Sequence, residues 1–180
     1  MKKILKTVII ILILVPLFFG SIILFYDGSV EYTKEIKINI NIDKVNTMFE
    51  DIYNMKKYMP ATKEIILISG EEKKEGAKYK IIISAAKESV EIIGTLVDNN
   101  LPHKLKMIYE MPGIINTMEQ KHEEIDDNKT LIINKQKFQF SGFMKIISFF
   151  EPEGFNIEAF QEQTNIYLRS FKNFAEKESY

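Results

Sequence analysis

The chain opens on an unbroken apolar run and then alternates. From Thr7 to Tyr26 there are 20 residues without a charge. A helix of that length, rising about 1.5 Å per residue, spans roughly the 30 Å of a bilayer's hydrocarbon core. The pattern predicts a transmembrane helix over 7–26, after a short N-terminal segment (1–6) and before a linker (27–29). A cleaved signal peptide would have an apolar region of about 7–15 residues closed by an A-x-A-like site. Here Gly20 and Ser21 are followed by the apolar Ile22 to Phe25, and Gly28 and Ser29 follow the bulky Tyr26 and Asp27. Retention as an anchor is the expectation, and Pro16, in mid-span, is tolerated in such helices.

From Val30 the period becomes two. Val30, Tyr32, Ile36, Ile38, Ile40 and Ile42 alternate with Glu31, Thr33, Glu35, Lys37, Asn39 and Asn41, which predicts one long, half-buried strand over 30–42. Asp43 then offers an N-cap, and Val45, Met48, Phe49 and Ile52 recur at helical spacing. Asn54 and Pro60 bracket a second short helix containing Tyr58. Six strand-like runs follow, near 64–69, 77–84, 89–97, 103–111, 114–125 and 130–140. They are parted by turn chemistry: a charged loop from Gly70 to Gly76, Asp98-Asn99-Asn100 before Pro102, Pro112-Gly113, and Asp126-Asp127-Asn128. Strands in such succession make an antiparallel meander. Asn156 caps a last helix of about five turns with Ile157, Phe160, Thr164, Leu168 and Phe171 on one face, and Glu162, Arg169, Lys172 and Glu176 away from it. The fold class is α+β: about seven antiparallel strands, a long C-terminal helix, and one N-terminal membrane helix, with residues 30–180 as a single domain.

The strand and helix that open the domain, IKINININIDKVNTMFEDIYNMKKYMP, and the helix that closes it, EAFQEQTNIYLRSFKNFAEK, resemble the SRPBCC superfamily. That superfamily includes START lipid-transfer domains, plant pathogenesis-related allergens and polyketide cyclase/dehydrase-like proteins. The resemblance covers Val30 to about Lys177 and lies in pattern and element order. It implies a helix-grip fold, with the sheet curled around the last helix and an apolar cavity between them. The anchor departs from the family's soluble members and argues against a freely diffusing transfer role.

Charge and composition narrow the function. With 24 basic against 25 acidic residues, nothing favours phosphate neutralisation, and no nucleic-acid partner is expected. Without cysteine, thiolate metal sites, disulfides and cysteine nucleophiles are excluded. Lys2, Lys3 and Lys6 precede the apolar run, whereas Asp27 and Glu31 follow it, so the positive-inside bias puts the N-terminus in the cytoplasm and the domain on the outer side of the cell membrane. Setting those three lysines aside leaves 21 of the 24 basic residues against 25 acidic ones, which gives no pull toward anionic headgroups.

The inward positions are rich in Met and aromatic residues: Tyr79, Met107, Tyr109, Met118, Phe138, Phe140 and Tyr167. Flexible thioethers and polar-tipped rings suit an adaptable apolar pocket, although core packing uses the same residues. If Glu119 faces Lys135 and Thr117 faces Lys137 in the last hairpin, then Asn116, Gln120, His122, Asn134 and Gln136 point inward with Met118 and Phe138. Gln120, Gln136 and Thr164 complete the candidate ligand-binding set, while His122 and Asn134, close to the hairpin tip, are expected to be solvated. His103 reads as ordinary surface. No metal-ligand spacing, G-x-S-x-G elbow or phosphate-binding glycine loop occurs, and no cofactor is expected. Residues 143–150, FMKIISFF, read first as a buried crossing beneath the last helix, with a pocket lid or a second bilayer contact as alternatives. The expected function is membrane-tethered binding of a hydrophobic small molecule or lipid. The alternatives are a cyclase- or hydrolase-type enzyme in the same cavity and a pocketless envelope interaction module.

Overall fold

The N-terminal apolar run forms one helix, α1 (Lys2–Phe25), in a computed structural model that describes residues 2–85, 88–151 and 156–179. Met1 and Tyr180, at the outer limits of the expected segments, lie outside the described residues. α1 is long and apolar enough to cross a membrane, and its apolar side chains are almost all exposed. Three residues, Tyr26 to Gly28, separate it from β1 (Ser29–Ile38).

The first strand is shorter than the alternation predicts. The chain bends at Asn39, whose backbone N–H and side-chain amide both donate to Glu176 Oε1, at 2.8 and 2.9 Å. Helix α2 (Ile42–Glu50) therefore begins earlier than expected, and its cap is Asn41, not Asp43: Asn41 Oδ1 accepts the Asp43 N–H at 2.8 Å. A 3-10 turn (Ile52–Asn54) and the one-turn helix α3 (Met55–Tyr58) follow.

Six further strands, β2 (Thr62–Ser69), β3 (Lys78–Ala85), β4 (Glu88–Asn100), β5 (Lys104–Met111), β6 (Ile114–Asp126) and β7 (Lys129–Phe140), pair antiparallel in the order β1-β7-β6-β5-β4-β3-β2. The β6–β7 register sets Glu119 opposite Lys135 and Thr117 opposite Lys137. The charges then satisfy neighbours on both sides, Lys106 with Glu119 at 2.8 Å and Lys135 with Glu31 at 2.7 Å, on the outer face.

Helix α4 (Gly142–Phe149) and helix α5 (Ile157–Glu178) complete the chain. Asn156 caps α5 as its sequence predicts, its Oδ1 accepting the Ala159 N–H. The buried stripe of α5 is Thr164, Leu168, Phe171 and Ala175. Ile157, expected on that stripe, is exposed because it lies in the first turn, ahead of the stripe's first buried residue. Phe171 meets Phe49 of α2 and Tyr58 of α3 edge-on, each with ring centres 5.2 Å apart. These contacts lock the C-terminal half of α5 to the two helices that follow β1. The N-terminal half is held differently, by Tyr32 of β1, whose hydroxyl donates to the Phe160 carbonyl at 2.8 Å and lies 3.0 Å from Thr164 Oγ1.

Candidate functional site

Between these two attachments α5 stands off the sheet and encloses a cavity of about 330 Å³, within the size range of small-molecule sites. Strand alternation supplies its floor: Ile81 and Ile83 on β3, Ile92 on β4, Tyr109 and Met111 on β5, Asn116 and Met118 on β6, Gln136 and Phe138 on β7. Met55, Met59 and Ala61 close one side, and Gln163, Thr164 and Tyr167 of α5 form the roof. Ala61 and Gln163 are exposed and mark the mouth. The lining is overwhelmingly apolar, and among the described residues it contains no Asp, Glu, Lys, Arg or His.

Of the residues singled out from sequence, Tyr109, Met118, Gln136, Phe138, Thr164 and Tyr167 meet in this cavity. Tyr79 and Met107 instead line a neighbouring void of about 30 Å³, the room of one water molecule, shared with Tyr109, Met118 and Tyr167. Phe140 packs on Phe160 with ring centres 5.8 Å apart and lines neither space. Gln120 is buried behind the cavity. The contributions of α3, Ile81, Ile83, Ile92, Met111 and Gln163 were not singled out. The alternation of Tyr79, Ile81 and Ile83 with Lys78, Lys80 and Ser84 carries a signal for two of them.

The inner face holds a continuous run of polar side chains. Asn116 Nδ2 donates to Gln136 Oε1 (2.8 Å), Gln136 Nε2 to Asn134 Oδ1 (2.7 Å) and Asn134 Nδ2 to Gln120 Oε1 (2.8 Å). Gln120 Nε2 lies 2.9 Å from His122 Nε2, and His122 Nδ1 lies 2.6 Å from Asn46 Oδ1 on α2. An amide nitrogen can only donate, so His122 accepts at Nε2 and, as a neutral imidazole, donates from Nδ1 to Asn46. The expectation that His122 and Asn134 are solvated is wrong: they are 4% and 0% exposed. α2 folds over the tip of the hairpin, and the Phe49 ring stands edge-on to the imidazole at 5.6 Å. Burial pulls the His122 pKa down to about 4.

The phenols beside the cavity shift the other way. Burial pushes Tyr58 up to about 12 and also raises Tyr109 and Tyr167 well above the usual phenol range, so all three remain protonated donors at neutral pH.

Antiparallel pairing gathers the start of β1, the ends of β3, β5 and β7, and the starts of β4 and β6 at one end of the sheet. The cavity lies toward that end, and α1 joins there. So does α4, which is not the buried crossing that FMKIISFF suggested: Phe143 is 73% exposed, and Phe149 and Phe150 are also exposed. The composition misleads because α4 packs beside α1 rather than under α5. Phe149 stands edge-on to Phe18 and Tyr26, at 6.5 and 5.4 Å, and Lys145 Nζ donates to the Ile23 carbonyl at 2.9 Å. The cation thereby satisfies an orphan carbonyl in the last turn of α1.

No protein-family model matches the sequence. No curated protein matches it either. Solved structures do. A START superfamily protein from Mycobacterium smegmatis superposes with a TM-score of 0.67 at 7% identity, over 82% of this chain and 97% of that one. ZhuI aromatase/cyclase from Streptomyces sp. R1128 gives 0.66 at 10% identity, over 84% and 96%. Norcoclaurine synthase from Thalictrum flavum, in complex with dopamine and hydroxybenzaldehyde, gives 0.60 at 8% identity, over 81% and 86%. At such identities the likeness is one of fold. The element order and the sheet topology agree with it, and the chain carries the helix-grip fold.

Proposed function

We propose that this protein is a membrane-tethered domain that binds a hydrophobic small molecule or lipid in the cavity between the sheet and α5. The observation that carries the reading is the position of an uncharged, apolar cavity toward the end of the sheet where the membrane-length helix α1 enters. In this reading α1 spans the bilayer from a cytoplasmic N-terminus, and residues 30–180 lie on the outer side. The exposed rings of α4 rest in the interface, where aromatic side chains are favoured. A ligand then leaves the leaflet close to the mouth, and tethering raises its effective concentration. That norcoclaurine synthase, a protein of similar fold, is in complex with dopamine and hydroxybenzaldehyde supports a ligand-binding use of the fold here.

The enzyme alternative needs an acid or base against the ligand. The cavity offers only phenols with raised pKa, and His122 stands behind Gln120 and Asn134, which favours binding over catalysis.

Two measurements test the reading. Protease added to intact cells or spheroplasts is expected to digest the domain, and protection until lysis would reverse the orientation. A soluble form beginning near Gly28 or Val30 would make α1 a signal sequence. For the cavity, native mass spectrometry of full-length protein in mild detergent is expected to find a retained hydrophobic molecule, and N-phenyl-1-naphthylamine is expected to bind. Thr164→Glu puts an unpaired carboxylate in the roof and takes away the hydroxyl beside Tyr32 Oη, and is expected to abolish both, with far-UV circular dichroism checking that the variant remains folded. Arg169→Glu, on the exposed face of α5, is expected to change neither. Wild-type protein that carries nothing and binds no probe would end the binding hypothesis.

A further inference from the structure

The cavity is uncharged, but it is not featureless. Tyr109 and Asn116 are directly opposite each other on β5 and β6, and Gln136 is bonded to Asn116 from β7, so three polar side chains on adjacent strands form one patch in an otherwise apolar floor. Two atoms of the patch have no hydrogen-bond partner among the described residues: Tyr109 Oη and Asn116 Oδ1. Neither is sealed inside the protein, unlike the buried, unpartnered Thr62 Oγ1 and Asn99 Oδ1. A phenol that stays protonated and an amide oxygen are thus left for whatever fills the cavity.

The oxygen is also held in place. Asn116 spends an N–H on Gln136, which spends its own on Asn134, and the chain continues through Gln120 and His122 to Asn46. Gln136, Asn134 and Gln120 each accept at the oxygen and donate from the nitrogen, while Asn116 only donates. Such chains polarise in one direction, which strengthens the acceptor at the donating end. That end is Asn116. Rotating the Asn116 amide alone would break the bond to Gln136, so with the chain running in this direction the patch presents an acceptor beside a phenol able to donate.

Resting on the binding function proposed above, we propose that the ligand is a neutral, single-chain or compact amphiphile bearing a hydroxyl group, which donates to Asn116 Oδ1 and accepts from Tyr109 Oη. Carboxylates and phosphates are rejected. Among the described residues no cation lines the cavity to pair with them, and an unpaired buried charge is far costlier than a hydrogen-bonded hydroxyl. The volume of about 330 Å³, near the lower end for ligand sites, suits one chain and not a two-chain phospholipid.

The test uses full-length protein in mild detergent and three labelled probes of one chain length: dodecane, 1-dodecanol and dodecanoate at pH 8. Dodecanol is expected to bind at least tenfold more tightly than either of the others. Tyr109→Phe removes one oxygen and is expected to weaken dodecanol severalfold while leaving dodecane unchanged. Asn116→Leu is expected to do the same more strongly. If that variant misfolds through the stranded Gln136, Tyr109→Phe alone decides. Equal binding of dodecanoate and dodecanol, or loss of dodecane and dodecanol in parallel in Tyr109→Phe, overturns the hydroxyl proposal and leaves the binding function standing. Failure of wild type to hold any of the three, dodecane included, overturns the binding function itself.

Discussion

Phe171→Ala is expected to destabilise the domain by about 3–5 kcal/mol, the cost of truncating a fully buried phenylalanine. Phe171 is 0% exposed and touches rings from both α2 and α3, through Phe49 and Tyr58, with Phe174 beside it at 6.2 Å. Its removal loosens the C-terminal attachment of the helix that roofs the cavity. Against a total stability of about 5–15 kcal/mol for a domain, the loss is large. Urea unfolding of full-length wild type and variant in the same micelles, followed by far-UV circular dichroism, measures it. A change below about 1 kcal/mol would mean that α5 is not seated as described.

Acid is expected to weaken the fold through His122. The imidazole titrates near its ordinary 6.5 when unfolded and near 4 when folded, so between those values the unfolded chain binds more protons. Stability therefore falls as pH drops from 6.5 toward 4 and levels off below, by about 3 kcal/mol in all for a shift of this size. Glu31, Glu119 and Asp126, whose carboxyls are held below their usual range by lysines or a backbone N–H, lose stabilisation in the same direction at lower pH. The comparison is with His122→Gln, whose amide keeps a donor and an acceptor but cannot titrate. The urea midpoint of the variant is expected to be flatter than wild type between pH 6.5 and 4. Identical slopes would show that the imidazole is hydrated.

Alternation left the register of β6 and β7 open, because a slip of one residue keeps the period of two; opposite charges at Glu119 and Lys135 pointed to one pairing among the possible ones, and it is the pairing the structure has. In that register Met118, Gln136 and Phe138 share the inner face and line one cavity. Other features depended on contacts distant in the chain. Asn39 is pulled from the strand by Glu176, near the far end of α5, and nothing local marks Asn41 above Asp43 as the cap. His122 and Asn134 lie near a hairpin tip, a position that is usually wet, until α2 closes over them. FMKIISFF has the composition of a core segment, and only its placement against α1 explains why its rings stay outside. Within the site, Thr164 and Tyr167 followed from helical spacing, whereas the α3 contribution could not, since one turn of helix has no period to read.

The junction between α1 and β1 fixes orientation. Gly28, at φ +64°, accepts the Phe140 N–H through its carbonyl, and a side chain there would run into Lys145, while Lys145 and Phe149 grip α1 from the other side. These contacts couple the end of α1 to the domain. If α1 lies in a bilayer and the cavity carries a ligand, as proposed, hand-over to a second membrane-bound protein becomes a search in two dimensions, governed by surface density rather than by concentration in the surrounding fluid.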